Sequence, residues 1–244
     1  MAFDSTIPWG YCLAKQTIIL FFGRINMYFI AFGDVHESTG MLTLIPGLSE
    51  AKALIITGDI TNRGSREAAD HVIEDVIKFN PRILAQPGNM DTDTVQAYLV
   101  ERDMDIHLTV RELAPGLGLM GVGLSTPTPF GTPGEVAEEV LTGWLDETYA
   151  KAEGFDQLII AIHEPPIDTK VDIIGGGQHV GSPGVRAFIE RVQPAAVLTG
   201  HIHEAKGLDM IGNTPVINPG MLAGGGYIRI DFENGEVAVE LKSV

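Results

Sequence analysis

Short apolar runs alternate with amphipathic segments along most of the chain. Apolar residues within 65–79 recur at helical spacing, which predicts a helix capped by Ser65 and ended by Pro81. Alternation of strands and helices is typical of an α/β protein. The apolar runs that predict buried strands are 28–32, 54–57, 82–86, 158–162 and 196–199.

Other segments predict helices and antiparallel strands. Ser182 and Pro183 are typical of a helix start, as a cap followed by proline in the first turn. Asn234-Gly235 predicts a hairpin turn, so the sheet is not purely parallel. Further helices are predicted over 91–101 and 135–152, further strands over 106–113, 117–124, 215–218, 227–232 and 237–241, and long loops over 125–134 and 164–181.

Residues 1–26 differ from the rest of the chain because they show no sustained hydrophobic period. Met27 directly precedes the first predicted strand and would be a natural start for a single domain over 27–244. The segment 1–26 is therefore an N-terminal extension, with two origins left open. It is either an additional strand or arm, or the product of a misplaced start codon.

Composition narrows the class of partner. The chain has 244 residues with 45% hydrophobic content and a formal net charge of −16, which predicts a sizeable core and a solvated acidic surface. A broad nucleic-acid-binding face would need clustered Lys and Arg, so we expect none. A small phosphate ester drawn in locally by metal ions stays compatible with this charge.

The single cysteine, Cys12, excludes a disulfide within the chain and a thiolate zinc cluster, and it fits the cytoplasmic location that we expect. No apolar run approaches the ~20 residues of a membrane span, so we expect no membrane partner. The run 17–22 is too short for the core of a signal peptide. Nothing in the sequence indicates whether the chain forms oligomers.

Five short polar motifs each follow one of the five apolar runs. The carboxyl ends of strands in an open α/β sheet line one crevice, so we expect these side chains to meet there. They include two carboxylates, one amide and four imidazoles. The motifs are Asp34-Val35-His36, Gly58-Asp59, Gly88-Asn89, His163 and Gly200-His201-Ile202-His203.

This set of donors predicts a dinuclear metal centre. Side chains two positions apart on an extended segment point the same way, so Asp34 and His36 should hold one ion together, as should His201 and His203. Mixed nitrogen and oxygen donors favour Mn, Fe, Co, Ni or Zn over Ca or Mg, and we expect Mn. Two divalent ions and two aspartates leave about +2 of charge for a hydroxide and a phosphate ester, which indicates phosphoester hydrolysis.

The ordered motifs resemble those of the calcineurin-like metallophosphoesterases, whose pattern is Asp-x-His, Gly-Asp, Gly-Asn-His-Asp/Glu, His and Gly-His-x-His. The resemblance covers essentially residues 27–244 and includes the turn Asn218-Pro219-Gly220. It implies an α/β fold with four layers, an αββα sandwich of two mixed β-sheets flanked by helices.

The resemblance also implies roles for individual residues. A hydroxide between two divalent ions would be the nucleophile, with Asp59 bridging the ions. Asp59, Asn89 and His203 would be catalytic, and Asn89 would also bind substrate. One ion would be held by Asp34, His36, Asp59 and His203, and the other by Asp59, Asn89, His163 and His201.

One motif departs from the family pattern. Met90 stands where the family usually has a histidine that contacts the phosphate. Methionine cannot transfer a proton, and a positioned acid or base contributes roughly 10²–10⁴ in rate. Small family branches that lack this histidine look like phosphodiesterases, so the resemblance favours small phosphodiesters as substrates.

Several residues near the motifs have two interpretations. Arg63 either contacts a substrate oxygen or is a solvated arginine at a helix start. His179, in the glycine-rich loop, either contacts substrate and replaces the missing acid or is an ordinary loop residue. Asp91 is interpreted as a helix cap or an acceptor behind the ligands. His163 and Asn89 could instead be a core histidine and a turn residue, but their place in the ordered set favours ligation.

The leading functional hypothesis is a metal-dependent phosphoesterase that acts on small phosphodiesters. A second is a phosphomonoesterase, including one that acts on phosphoproteins. A third is a non-catalytic scaffold, which we disfavour because all seven ligand positions are filled.

Overall fold

The computed structural model describes residues 26–244, so the N-terminal extension lies outside the described residues, except for Asn26 in the first strand. The helices there are α1 Arg66–Ile77, α2 Asp93–Glu101, α3 Glu138–Tyr149 and α4 Pro183–Val192. The strands there are β1 Asn26–Phe32, β2 Leu54–Ile56, β3 Ile83–Ala85, β4 Thr109–Ala114, β5 Leu117–Val122, β6 Gln157–Ile162, β7 Ile173–Ile174, β8 Gln178–His179, β9 Ala196–Leu198, β10 Gly207–Ile211, β11 Thr214–Asn218, β12 Gly226–Glu233 and β13 Glu236–Ser243.

Two large mixed sheets form the centre of the molecule. The first has the order β13-β12-β1-β2-β3, in which β1, β2 and β3 are parallel, β12 is antiparallel to β1, and β13 is antiparallel to β12. The second has the order β10-β11-β9-β6-β5-β4, with four parallel central strands and an antiparallel strand at each edge. Strands β7 and β8 form a separate small ribbon.

Successive side chains of the central strands point to opposite faces of their sheet and therefore belong to different apolar layers, of which residues 26–244 form three. In β1, Ile30 and Phe32 belong to the core that includes α1 and α2, whereas Phe29 and Ala31 belong to the core between the sheets. In β6, Ile160 belongs to the third core, which includes α3 and α4. Both faces of each sheet are therefore covered, which confirms the four-layer αββα arrangement.

Local sequence signals fix several element ends as predicted. The side chain of Ser65 accepts a hydrogen bond from the Glu67 amide at the start of α1, and Ser182 does the same for Val185 in α4. Asn234 and Gly235 both have positive φ, at 55° and 85°, as a type I′ hairpin turn requires. These three predictions are confirmed.

Two predicted helix starts are too early. Helix α2 begins at Asp93 rather than at 91 because the carboxylate of Asp91 binds backbone groups of neighbouring loops. Helix α3 begins at Glu138 rather than at 135 because Glu135 is held in the preceding loop by Thr128 and Thr132.

Three of the described strands were not predicted, namely β7, β8 and β10. Strand β10 lies at a sheet edge, where Leu208 and Met210 are 37% and 51% exposed, so it has no buried apolar run. The loop predicted over 164–181 contains the β7–β8 ribbon. The longest α-helices among residues 26–244 have 12 residues, and no helix there has the length and apolar character that a membrane crossing requires.

Candidate metal centre

The five motifs meet at one end of the two sheets. Asp34 and His36 follow β1, Asp59 follows β2 and Asn89 follows β3, all in the first sheet. Backbone bonds join their loops, since the Val35 amide donates to the Asp59 carbonyl at 2.8 Å. The second sheet contributes His163 after β6, and His201 and His203 after β9.

The backbone at these positions is not extended. Asp34, His36, Asp59 and His201 have φ values of 46°, 46°, 50° and 68°, in the left-handed region. His203 begins a short 3-10 turn. The expectation that side chains two apart converge because the segment is extended is therefore wrong. They converge through tight turns, in a conformation that Asp and His tolerate better than most residues.

Four side chains form the first donor group. Asp34, His36, Asp59 and His203 each offer an atom within 4.8 Å of the others. The Nε2 atoms of His36 and His203 lie 3.0 Å apart, and each is close to a carboxylate, at 3.6 Å from Asp59 Oδ2 and 3.5 Å from Asp34 Oδ1. This arrangement can surround one small cation.

A second donor group lies on the other side of Asp59. The Oδ1 atom of Asn89 is 3.0 Å from His163 Nε2 and 2.7 Å from His201 Nδ1. Asp59 Oδ1 lies 3.5 Å from His163 Nε2, whereas its Oδ2 atom faces His36. The two oxygens of Asp59 thus point to different donor groups.

Buried oxygen atoms provide a test of whether a metal fits. Asp34 is 0% exposed, and its Oδ2 atom has no hydrogen-bond partner among the described residues. Leaving such an acceptor unsatisfied costs about 1–3 kcal/mol, and more when it is charged. A Cβ at Gly88 would collide with the Asp59 carboxylate, so glycine lets this loop close on the site. The residues present fit a divalent cation.

The electrostatics agree with this fit. Burial opposes a charge on His163, but the adjacent Asp59 carboxylate outweighs burial and raises the pKa of His163 to about 9. Burial, with the nearby charge of His163, lowers the pKa of His201 to about 4. The buried carboxylates thus favour positive charge in the site. Divalent cations would supply that charge, and the same nitrogen and oxygen atoms would bind them.

Asp91 supports the site from behind. Its buried carboxylate accepts hydrogen bonds from the amides of Ile60, Thr61 and Gly88 at 3.0, 2.8 and 2.9 Å, and from the Thr61 hydroxyl at 2.8 Å. Burial, together with the charge of Asp59, raises the pKa of Asp91 to about 6. Asp91 is therefore an acceptor that joins two ligand-bearing loops.

Replacing Asp91 with alanine is expected to destabilise the fold by about 3 kcal/mol or more, because each buried donor left unpaired costs about 1–3 kcal/mol. Denaturant unfolding in the presence of a chelator measures this change without a contribution from bound metal. Asp93→Ala is the control, since Asp93 is exposed in the first turn of α2. Equal stability of the two variants would contradict the role given to Asp91.

A cavity of about 1000 Å³ opens onto the donor atoms. Among its described lining residues, Arg63 is the only lysine or arginine, and its Nη2 atom donates to the carbonyls of Phe130 and Gly131, at 3.0 Å each. Phe130 is 79% exposed. The cavity has an apolar character from Met90, Pro127, Pro129, Phe130, Ile174, Val180 and Met221.

Of the two further candidates from the sequence, Arg63 and His179, only Arg63 lines the cavity. Arg63 lies at the cavity, where it holds the loop 125–134. His179 does not line the cavity, although Gln178 and Val180 do. Its Nδ1 atom lies 2.8 Å from Asp172 Oδ1, and this hydrogen bond raises the pKa of His179.

Sequence reasoning missed the contribution of the loop 125–134. The Thr132 hydroxyl accepts a hydrogen bond from Asn89 Nδ2 at 3.0 Å, and Phe130 forms part of the cavity wall. The Thr126 amide donates to the buried Glu164 at 2.9 Å. The available signal was the position of this proline- and glycine-rich segment, which follows a core strand and carries three threonines.

Comparisons with known proteins identify a relative by sequence and several structures with the same fold. The uncharacterized protein MJ1162 of Methanocaldococcus jannaschii is 33% identical over 203 residues, which cover 79% of this chain and 88% of the relative. The crystal structure of TT1561 of Thermus thermophilus has a TM-score of 0.66 at 17% identity, covering 88% of this chain and 98% of that one. A putative 5′-nucleotidase from Staphylococcus aureus, in complex with alpha-ketoglutarate, has a TM-score of 0.58 at 16% identity, covering 90% of this chain and 54% of that one.

The structural neighbours show only that the fold is shared, whereas the match to a family model shows the family. The family model for calcineurin-like phosphoesterases matches residues 27–205, a segment that includes all five motifs. The order of the motifs, the paired donor groups and this match agree. The chain therefore belongs to the calcineurin-like phosphoesterase family.

Proposed function

We propose that this protein is a metal-dependent phosphoesterase that hydrolyses small phosphodiesters. The observation that carries the proposal is the paired set of donor groups at the base of an open cavity. Divalent ions bound there would supply the positive charge that acidifies water and stabilises charge on a phosphate. The first ion would be held by Asp34, His36, Asp59 and His203, and the second by Asp59, Asn89, His163 and His201.

Each protein group would have a defined task. The carboxylate of Asp59 would join the two donor groups and fix their separation. Asn89 and the four histidines would hold the ions and thereby orient the phosphate at the base of the cavity. Arg63 would act through the loop 125–134, because its guanidinium is already bonded to Phe130 and Gly131.

The cavity supports a preference for diesters over monoesters. A monoester carries a second negative charge, which a further cation would stabilise, yet the one arginine among the described lining residues is bonded to backbone carbonyls. A diester carries two organic groups, for which Phe130 and Met90 provide apolar surface. Met90 has no proton to donate, so the substrates favoured are those whose leaving group departs unaided.

The test is reconstitution of the chelator-treated 244-residue chain with Mn, Ni, Co, Fe or Zn. We expect about two ions per chain, as in two-metal phosphoesterases, and faster hydrolysis of bis(p-nitrophenyl) phosphate than of p-nitrophenyl phosphate. Cyclic nucleotides and phosphopeptides extend the panel. Faster monoester hydrolysis would favour the phosphomonoesterase alternative, and a metal content near zero under saturating Mn would overturn the proposal.

A further inference from the structure

The loop that follows β5 is attached directly to Asn89. The Gly134 amide donates to the backbone carbonyl of Asn89 at 2.8 Å, and the side-chain amide of Asn89 donates to the Thr132 hydroxyl at 3.0 Å. Asn89 is 3% exposed, so its side chain has few other partners. The direction in which this amide points therefore depends on what the Thr132 hydroxyl can accept or donate.

Glu135 determines the direction of that hydroxyl. One oxygen of Glu135 accepts hydrogen bonds from the Thr132 amide and hydroxyl, both at 2.7 Å, and from the Thr128 hydroxyl at 2.6 Å. Partial burial opposes ionisation, but these hydrogen bonds outweigh it and lower the pKa of Glu135 to about 2. An ionised carboxylate has no proton to give, so the single Thr132 hydroxyl proton points to Glu135.

The Thr132 oxygen can consequently only accept a hydrogen bond from Asn89. The atom of Asn89 that faces Thr132 must be the amide nitrogen, and the carbonyl oxygen must face His163 and His201, at 3.0 and 2.7 Å. The two orientations of an asparagine amide have nearly the same shape, so packing alone discriminates weakly between them. The reversed orientation would present an NH₂ group, which cannot bind a cation.

We propose that Thr132 and Glu135 are positioning residues that hold the side-chain carbonyl oxygen of Asn89 toward the candidate metal centre. This inference rests on the proposed function, because it needs Asn89 to be a metal ligand. Thr132 and Glu135 would act through the orientation of Asn89 and would not touch the ions themselves. Outer partners of this kind typically change metal affinity about 10- to 100-fold.

The experiment measures Mn binding by competition with a chromophoric chelator, together with the visible absorption spectrum of the Co-loaded protein. In Thr132→Val the hydroxyl is lost at nearly constant volume, and we expect about 10-fold or more weaker affinity at one of two sites, with an altered Co spectrum. Thr132→Ser retains the hydroxyl and should restore both. Thr128→Val is the matched control, because Thr128 donates to the same Glu135 oxygen without contacting Asn89.

The Thr132→Val substitution made in an Asn89→Asp protein separates an effect on the orientation of the residue 89 side chain from general damage to the loop. In Asn89→Asp both side-chain oxygens are equivalent, so an incorrect orientation no longer exists. Adding Thr132→Val to Asn89→Asp should therefore cause no further loss of affinity. An equal loss in both backgrounds would overturn the inference, as would wild-type affinity in Thr132→Val. Failure of the wild-type protein to bind Mn would instead contradict the proposed function itself.

Discussion

Replacement of Asp59 by asparagine is expected to reduce metal-dependent turnover on the order of 10³-fold or more, as expected when a preorganised charge is removed from a catalytic site. The two oxygens of Asp59 face different donor groups, toward His36 and His163. Asparagine would present an NH₂ group to one of them and would remove a negative charge. Initial rates with bis(p-nitrophenyl) phosphate and the Mn content of the variant measure both effects.

The control for this substitution is Asp105→Asn. Asp105 is also a buried aspartate, but it does not line the cavity, and its carboxylate accepts a hydrogen bond from the His107 amide. We expect it to leave turnover unchanged, with a cooperative unfolding transition for both variants. An Asp59→Asn protein that retains full activity and two ions would refute the bridging role.

Replacement of Met90 by histidine is expected to accelerate the cleavage of esters with poor leaving groups by up to about 10²-fold, the lower end of what a positioned acid contributes. Met90 lines the cavity, and only its backbone amide binds Asp59, at 2.7 Å, so the new side chain leaves that bond in place. Wild-type kcat/KM should fall steeply as the pKa of the leaving group rises. The histidine variant should show a shallower slope and a shift toward monoesters.

A series of aryl and alkyl esters measures these slopes. Met90→Leu is the matched control, because leucine fills a similar volume and cannot donate a proton. His179→Ala tests whether His179 replaces the missing acid, in which case poor leaving groups should be slowed most. A slope equal to that of the wild type would count against His179, which is bonded to Asp172. Flat slopes in every variant would show that protonation does not limit the rate.

The parts of the fold that depend on local signals could be predicted from the sequence. Ser65 and Ser182 cap helices because their side chains satisfy free amides, and a serine before an amphipathic run is visible in the sequence. The order of the five motifs predicted which side chains meet, because strand ends in such sheets share one edge. The domain boundary at Met27 stays a prediction.

The parts that depend on tertiary contacts could not be predicted. The left-handed backbone at Asp34 and His36 arises from hydrogen bonds to the next loop, to Gly58 and Asp59, and has no signature in the two-residue spacing. The contact of Thr132 with Asn89 joins residues 43 positions apart. Such pairings become visible only when the chain is folded.

Each donor group draws its members from both sheets, and this has a consequence for folding. On the proposed ligand set, Asp34 and His203 would share one ion across the boundary between the sheets, and Asn89 and His163 would share the other. The ions would thus add cross-links between halves of the molecule that also meet through an apolar layer and through hydrogen bonds such as that from the Asn89 side chain to Thr132. At a metal concentration of 100 times Kd, binding would add about 2.7 kcal/mol per site to the free energy of unfolding. The melting temperature could therefore rank candidate ions before any substrate is known.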